Sequence, residues 1–282
     1  MVIVRRASAD AGESFSAAAL SIFIGVPFFA IAILISGEWN ALIHVSVKVL
    51  SLLAAVGVIH FIAGRLLAYS SFRLIGANRA TPFIQANPVC TIILSLIFLD
   101  EQLTGFIALG ALFMLAGAYL ITREKNSISG VVKKEFTRDE IKGILLALGA
   151  ALCWGITPVL VKPAVAEIGS SASGTMIAYF TASIIIALMM LKNSRFSGLK
   201  KLPFKKVVLP MLIAGVFTAA GQLLVFIALE TSPANIISPL MSIQILFVFF
   251  LSWLINRRLE IFSWKVALGM ASTLVGTILL FQ

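Results

Sequence analysis

The sequence predicts an all-α membrane protein of about nine transmembrane helices, forming an inverted five-plus-five repeat that lacks its first helix. Three observations carry that prediction: an apolar composition, nine apolar runs of membrane-spanning length, and a self-match at a fixed shift. Apolar residues make up 60% of the chain and charged residues only 12%, whereas charged residues alone are about a quarter of a soluble domain. A hydrocarbon core about 30 Å thick takes roughly 20 apolar residues in helical form.

The runs follow one another with little between them. They are Phe15 to Ile35, Val49 to Ser71, Ala80 to Leu99, Leu103 to Thr122, Gly143 to Pro163, Ser170 to Leu191, Val207 to Leu229, Thr231 to Ile255 and Phe262 to Gln282. Only Asp100 to Gln102 separates the third from the fourth, and only Glu230 the seventh from the eighth. A transmembrane barrel would show alternating segments of about ten residues, and these runs are continuously apolar. Cys90 and Cys153 fall inside runs and match no metal or redox spacing, so they are expected to pack as small apolar groups. The first run is long enough to span and ends without a small-residue cleavage site, which argues against a signal peptide.

The net charge of +10 does not point to nucleic acid, because the basic residues interrupt apolar runs instead of forming a stripe on a soluble surface. They mark orientation. Taking the runs in order, eighteen of the 22 lysines and arginines fall on one side, at the N-terminus and after the second, fourth, sixth and eighth runs. Only Lys48 and Lys162 fall on the other, while Arg65 and Lys265 lie inside runs. The positive-inside rule makes the first side cytoplasmic.

A shift of 157 residues lays the second run on the seventh and the third on the eighth without gaps. Gly64 meets Gly221, Ala77 and Asn78 meet Ala234 and Asn235, and Pro82 meets Pro239; Ser16, Phe23 and Ala30 of the first run meet Ser173, Phe180 and Ala187 of the sixth. After a two-residue insertion, Gly110 and Gly117 of the fourth run meet Gly269 and Gly276 of the ninth. Matched runs are five helices apart, and an odd number of crossings reverses direction, so the two copies are inverted in the membrane, as in many secondary transporters. The fifth run has no full partner, yet Val159 to Gly169 align with Val2 to Gly12. The expected organisation is therefore a first repeat of four helices at 1–124, a basic connection at 125–142 and a second repeat of five at 143–282. The missing helix would reflect a misplaced start or a deletion, which upstream DNA sequence would distinguish.

"WGITPVLVK" (Trp154 to Lys162), "PFIQANPVCTIILSLIFLDEQLTGFIALGALFMLAGAYLI" (Pro82 to Ile121) and its second copy "SPLMSIQILFVFFLSWLINRRLE" (Ser238 to Glu260) resemble the EamA family of the drug/metabolite transporter superfamily. The resemblance covers nearly the whole chain. It implies an acidic short turn, here Asp100-Glu101, followed by a paired-glycine helix; the second copy departs, with Arg257-Arg258 at the aligned positions and Glu260 slightly later. It also implies ten helices with both ends cytoplasmic, whereas the charge bias places the C-terminus opposite; the expectation adopted follows the charges.

Candidate chemistry is sparse and polar. Gly110 with Gly117, and Gly269 with Gly276, share helix faces and are expected to let neighbouring backbones approach. Pro82, Pro88, Pro158 and Pro239 each remove a backbone donor inside a run, bending or opening a helix. Arg65 is the sharpest signal: a basic residue at mid-span costs about 2.5–3.5 kcal/mol on insertion scales and faces protein or water. Its repeat counterpart is Gln222, and Asn87 aligns with Gln244, with Gln85 half a turn away on the same helix. A polar solute pocket built from these residues is the functional expectation; snorkelling of Arg65 toward the cytoplasmic interface and amide bonds between helices are the structural one. His60, a little over one turn before Arg65, is a candidate for proton coupling, since its charge changes near neutral pH, and Trp154 either lines the cavity or packs.

These features favour a transporter in the cell membrane for an amino acid or related polar or anionic solute, working by alternating access, with export of lipophilic cations as the alternative. The expected partners are the solute, the bilayer and a coupling ion, proton or other, with room for a homodimer and no nucleic acid. No cofactor is expected. An enzyme would need a nucleophile, metal cluster or acid/base pair at one depth, and two histidines, His44 and His60, without mid-run carboxylates offer little for that. A channel or scaffold would show charge rings or a partner-binding domain.

Overall fold

The computed structural model of the protein describes residues 14–75, 80, 83–127, 138–192, 209–244, 247 and 264–280. The N-terminal match at 2–12, Pro82, most of the basic connection, and Arg257, Arg258 and Glu260 lie outside the described residues.

Among the described residues the regular structure is helical throughout. In chain order the elements are α1 (Ser14–Ser36), α2 (Trp39–Ile43), α3 (Val47–Ile75), α4 (Asn87–Phe98), α5 (Gly105–Ser127), α6 (Arg138–Ile168), α7 (Ser171–Lys192), α8 (Leu209–Thr231), α9 (Ala234–Leu240) and α10 (Trp264–Leu279). Four stretches, Val47–Ile75, Arg138–Ile168, Ser171–Leu191 and Leu212–Thr231, are long and apolar enough to cross a bilayer, and five shorter apolar helices accompany them. Exposure is inverted relative to a soluble protein: Ile35, Leu188, Leu191, Leu224 and Phe217 face outward, while Ser71, Thr91, Ser95, Ser173 and Thr175 are buried, as are many alanines. Lipid tails solvate leucine as well as another helix does, so small residues and hydroxyls take the helix contacts instead.

The chain divides into two compact units, one of residues 1–65 and 160–231, the other of 66–159 and 232–282. Each therefore draws helices from both sequence halves, and α3 and α6 each pass from one unit to the other.

In the first unit α1 packs against α7 and α8, and α7 packs against α3. Gly57 allows that last approach, since a Cβ there would stand 2.6 Å from Ala178 O. The turn from α6 to α7 is made by Gly169 at φ +64°, where a side chain would be strained, and by Ser170, whose hydroxyl accepts from Ser173 N–H at 3.1 Å and donates to Glu38. At the same end Ser46 caps α3 by accepting from Val49 N–H, and its hydroxyl donates to Glu167, which also pairs with Lys48 at 3.2 Å.

In the second unit α5 and α10 cross on their glycines. A Cβ at Gly276 would stand 2.6 Å from Gly110 O, and one at Gly110 would stand 2.9 Å from Gly276 O. Two turns further along α5, Gly117 lies against Gly269 O and Thr273. Thr91 ties three helices together: its hydroxyl donates to Gly155 O of α6 at 2.9 Å and accepts from Ser238 of α9 at 2.9 Å. Asp100 adopts φ +52° after α4, a left-handed conformation that aspartate tolerates better than most side chains. The reversal aims Glu101 at the start of α9. There its two carboxylate oxygens accept from Ala234 N–H at 2.6 Å and Asn235 N–H at 2.9 Å, and Asn235 Nδ2 donates to Gln102 O.

Candidate functional site

Three segments depart from α-helical regularity. Residues Gly57–Gly64 in the middle of α3 form a π-helix. Gln85 and Ala86 form a turn just before α4, which begins with Pro88 in its first positions. Met241–Ile243 form a 3₁₀ turn directly after α9, which contains Pro239. Proline explains the second and third, because it lacks the N–H that a continuing helix would use and fits the first turn of a new one. The π-helix opens with Gly57, where α7 presses close against the backbone. Such wide turns occur frequently at functional sites.

Five of the seven candidate residues sit in or beside these segments. His60 lies within the π-helix and Arg65 directly follows it; Gln85 is in the turn and Asn87 directly follows it; Gln244 directly follows the 3₁₀ turn. Gln85 and Asn87 thus do not share one continuous helix as the sequence suggests, because the chain turns between them. Asn87 Nδ2 donates back across that turn to Ile84 O at 3.0 Å.

In the first unit the arrangement centres on Phe61. Arg65 folds back over the preceding turn, its guanidinium carbon 5.5 Å from the Phe61 ring centroid, a cation–π distance. His60 meets the Phe61 ring edge-on at 4.6 Å, and Tyr179 of α7 meets it at 4.3 Å. Tyr179 also packs edge-on against Phe29 of α1 at 4.8 Å. Arg65 and His60 are both half-buried, as is Gln222 on α8.

In the second unit α6 comes close to the start of α4 at Gly155, where a Cβ would stand 2.9 Å from Asn87 O. Trp154 packs against a buried cluster of Ala68, Ile75, Ala80, Ile84, Ala147 and Ala150. Gln85 is half-buried in its turn, and Gln244 is exposed.

A cavity of about 270 Å³ in the first unit is lined by Ala41, His44, Val45, Ser46, Val49, Glu167 and Ile168. It holds none of the candidate residues. Among the described residues no group of three histidine, cysteine or acidic side chains is placed to hold a metal.

Two groups that sequence reasoning passes over stand out in this geometry. In the sequence Glu101 reads only as part of an acidic turn, and its partners lie more than 130 positions away. Tyr179 belongs to no motif, and its one cue is its place: a tyrosine in the middle of a span departs from the usual position of that residue at the membrane interfaces.

Comparison with known proteins supports the helical architecture. The model of the EamA-like transporter family matches residues 1–123 and 141–282. Solute carrier family 35 member G1 of Mus musculus is 25% identical over 195 residues, covering 65% of this chain and 50% of that protein. The chain thus spans about half the length of that curated relative. A solved crystal structure superposes with a TM-score of 0.74 over 97% of this chain and 90% of its own, at 17% identity, a likeness of fold alone.

Proposed function

The chain belongs to the EamA-like transporter family, and from that membership we propose that it moves a small polar or anionic metabolite, an amino acid or a relative of one, across the cell membrane. The coarse activity is that of a multi-pass membrane transporter of the drug/metabolite superfamily. The finer reading has the solute handled by alternating access between inverted halves, with Arg65, Gln222 and His60 as the candidate solute-binding residues of the first unit and Gln85, Asn87, Trp154 and Gln244 as those that the second unit offers.

The observation that carries this reading is Arg65. A guanidinium held half-buried at mid-span, directly after a π-helix and against an aromatic face, matches the habit of intramembrane charges to mark solute pathways. Its positive charge favours a carboxylate-bearing solute over a lipophilic cation. Irregular backbone at membrane depth is tolerated where it is buried in protein or lines a cavity, and the three irregular segments fit that rule.

The glycine crossing supports the inverted repeat. Gly110 meets Gly276, the counterpart of Gly117, and Gly117 meets Gly269, the counterpart of Gly110. Reciprocal contacts of this kind are what a two-fold relation between two copies produces. The turn at Gln85–Ala86 and the 3₁₀ turn at Met241–Ile243 also coincide under the 157-residue shift.

Uptake into proteoliposomes of a panel of amino acids, carboxylic acids, sugars and cationic drugs tests the proposal, with Arg65→Ala and Arg65→Lys beside the wild type. Transport of a carboxylate solute, abolished in Arg65→Ala while expression and Tm stay near wild type, is expected. Unchanged transport kinetics in Arg65→Ala would sink the assignment.

A further inference from the structure

Most buried hydroxyls on the described transmembrane helices find a carbonyl close by. Thr157, Thr175, Thr181, Thr273 and Thr277 each donate to the carbonyl four residues earlier, at 2.6 to 3.0 Å. This local bond is the ordinary way for a hydroxyl to be satisfied inside a membrane helix. Tyr179 and Ser183 of α7 do otherwise. Tyr179 is 0% exposed and Ser183 8%, and neither hydroxyl has a hydrogen-bond partner among the described residues. Thr181, two residues earlier, makes the local bond to Ile177 O that Ser183 does not make.

The two residues are four apart and so share one helix face, a single turn separating them. They lie eight and twelve residues into α7, near the middle of the span. The tyrosine ring is held firmly. It is wedged between Phe29 and Phe61, and Gly25 of α1 makes the space, since any Cβ there would collide with the ring. Phe61 carries Tyr179 on one contact and the Arg65 guanidinium on another. The first unit therefore fixes the Tyr179 ring and a cation on one aromatic residue, with a second unspent donor one turn along α7, where there is no bulk water to satisfy them.

Resting on the transport reading above, we propose that Tyr179 and Ser183 donate hydrogen bonds to the carboxylate of the transported solute, alongside Arg65. Hydroxyl donors and a guanidinium together match an anionic oxygen pair, and the rigid ring makes Tyr179 a determinant of which carboxylates are accepted.

The test uses the full chain in proteoliposomes, with Tyr179→Phe, Ser183→Ala and the double variant. The probes are the radiolabelled amino acid or carboxylic acid that the wild type transports best, and the corresponding primary amide. Each single variant should raise KM for the carboxylate about tenfold with the maximal rate kept, and should leave the KM for the amide nearly unchanged. Solute-induced Tm shifts should weaken in parallel. Without solute, Tyr179→Phe should melt at or above the wild-type temperature, because the deleted hydroxyl bonds to nothing among the described residues. Wild-type KM in both variants, or a marked fall in the solute-free Tm of Tyr179→Phe, overturns the assignment while leaving the transport reading intact. A wild type that transports cations and no carboxylate overturns both.

Discussion

Replacing Gly276 by alanine should loosen the contact between α5 and α10, and the geometry sets the scale. The added methyl carbon would stand 2.6 Å from Gly110 O, 2.6 Å from Met114 Cγ and 2.8 Å from Met114 N. Met114 can move its side chain, but two of these three atoms are backbone. To reach ordinary contact at 3.4 Å the two helices must part by about 0.8 Å along that direction. Over-packing of this kind costs typically 1–3 kcal/mol, and the loss is sharper where close backbone approach is the main attraction between helices in lipid. At about 2–4 °C per kcal/mol for chains of 150–250 residues, the Tm of detergent-solubilised protein should fall by several degrees. Gly221→Ala is the matched control. It lies on α8, and a methyl carbon added there would have nothing within 4 Å, so the general preference of a helix for alanine over glycine, about 1 kcal/mol, should leave Tm unchanged or raised. The measurement is Tm by intrinsic fluorescence, followed on both variants under identical detergent. Equal melting of Gly276→Ala and wild type would refute the close-approach argument.

The remaining predictions concern single polar contacts. Glu101→Ala removes both acceptors from the start of α9, and hydrogen bonds to a charged group are worth about 1.5–3 kcal/mol; Tm should drop by several degrees and Glu101→Gln, which keeps one acceptor, should fall between. A Glu101→Ala protein as stable as wild type would show the clamp to be idle. Thr91→Val keeps the shape but leaves Ser238 without its acceptor and Gly155 O without its donor; a loss of roughly 1–2 kcal/mol is expected, and double-mutant analysis with Ser238→Ala should give less than the sum of the two single effects. Additive effects would mean that the Thr91–Ser238 bond contributes nothing.

Much of the helical plan is legible in the sequence because lipid demands it. A span such as Ser170 to Leu191 needs only continuous hydropathy, and the structure places α7 there within a residue or two. Helix ends are less legible: the run Val49 to Ser71 becomes a helix from Val47 to Ile75, since backbone hydrogen bonds continue past the point where side chains turn polar. The breaks before α4 and after α9 have a visible cue in Pro88 and Pro239, yet hydropathy alone joins them into single runs. The π-helix has none: the side chains of Gly57 to Gly64 read as an ordinary apolar run, and the close approach of α7 at Gly57 involves a helix far away in sequence. Gly110 and Gly117 can be placed on one face by their spacing; that each meets the other glycine pair depends on a helix far away in sequence. The unspent donors on α7 are hidden for the same reason, since only the three-dimensional set of partners separates Ser183 from Thr181.

The division of the chain into units built from both halves bears on how the protein is made. Helices enter the membrane in the order of synthesis, yet the first unit gains its last helix only with α8 and the second only with α10. Helices α4 and α5 are finished early, with Thr91 and the Gly110 face still lacking the partners that α6, α9 and α10 bring. A nascent chain must therefore hold sticky, half-satisfied surfaces in the bilayer until α10 arrives. A cut between α5 and α6 should yield two pieces that are each unable to mature alone and that recover a folded, detergent-stable protein when produced together in one cell.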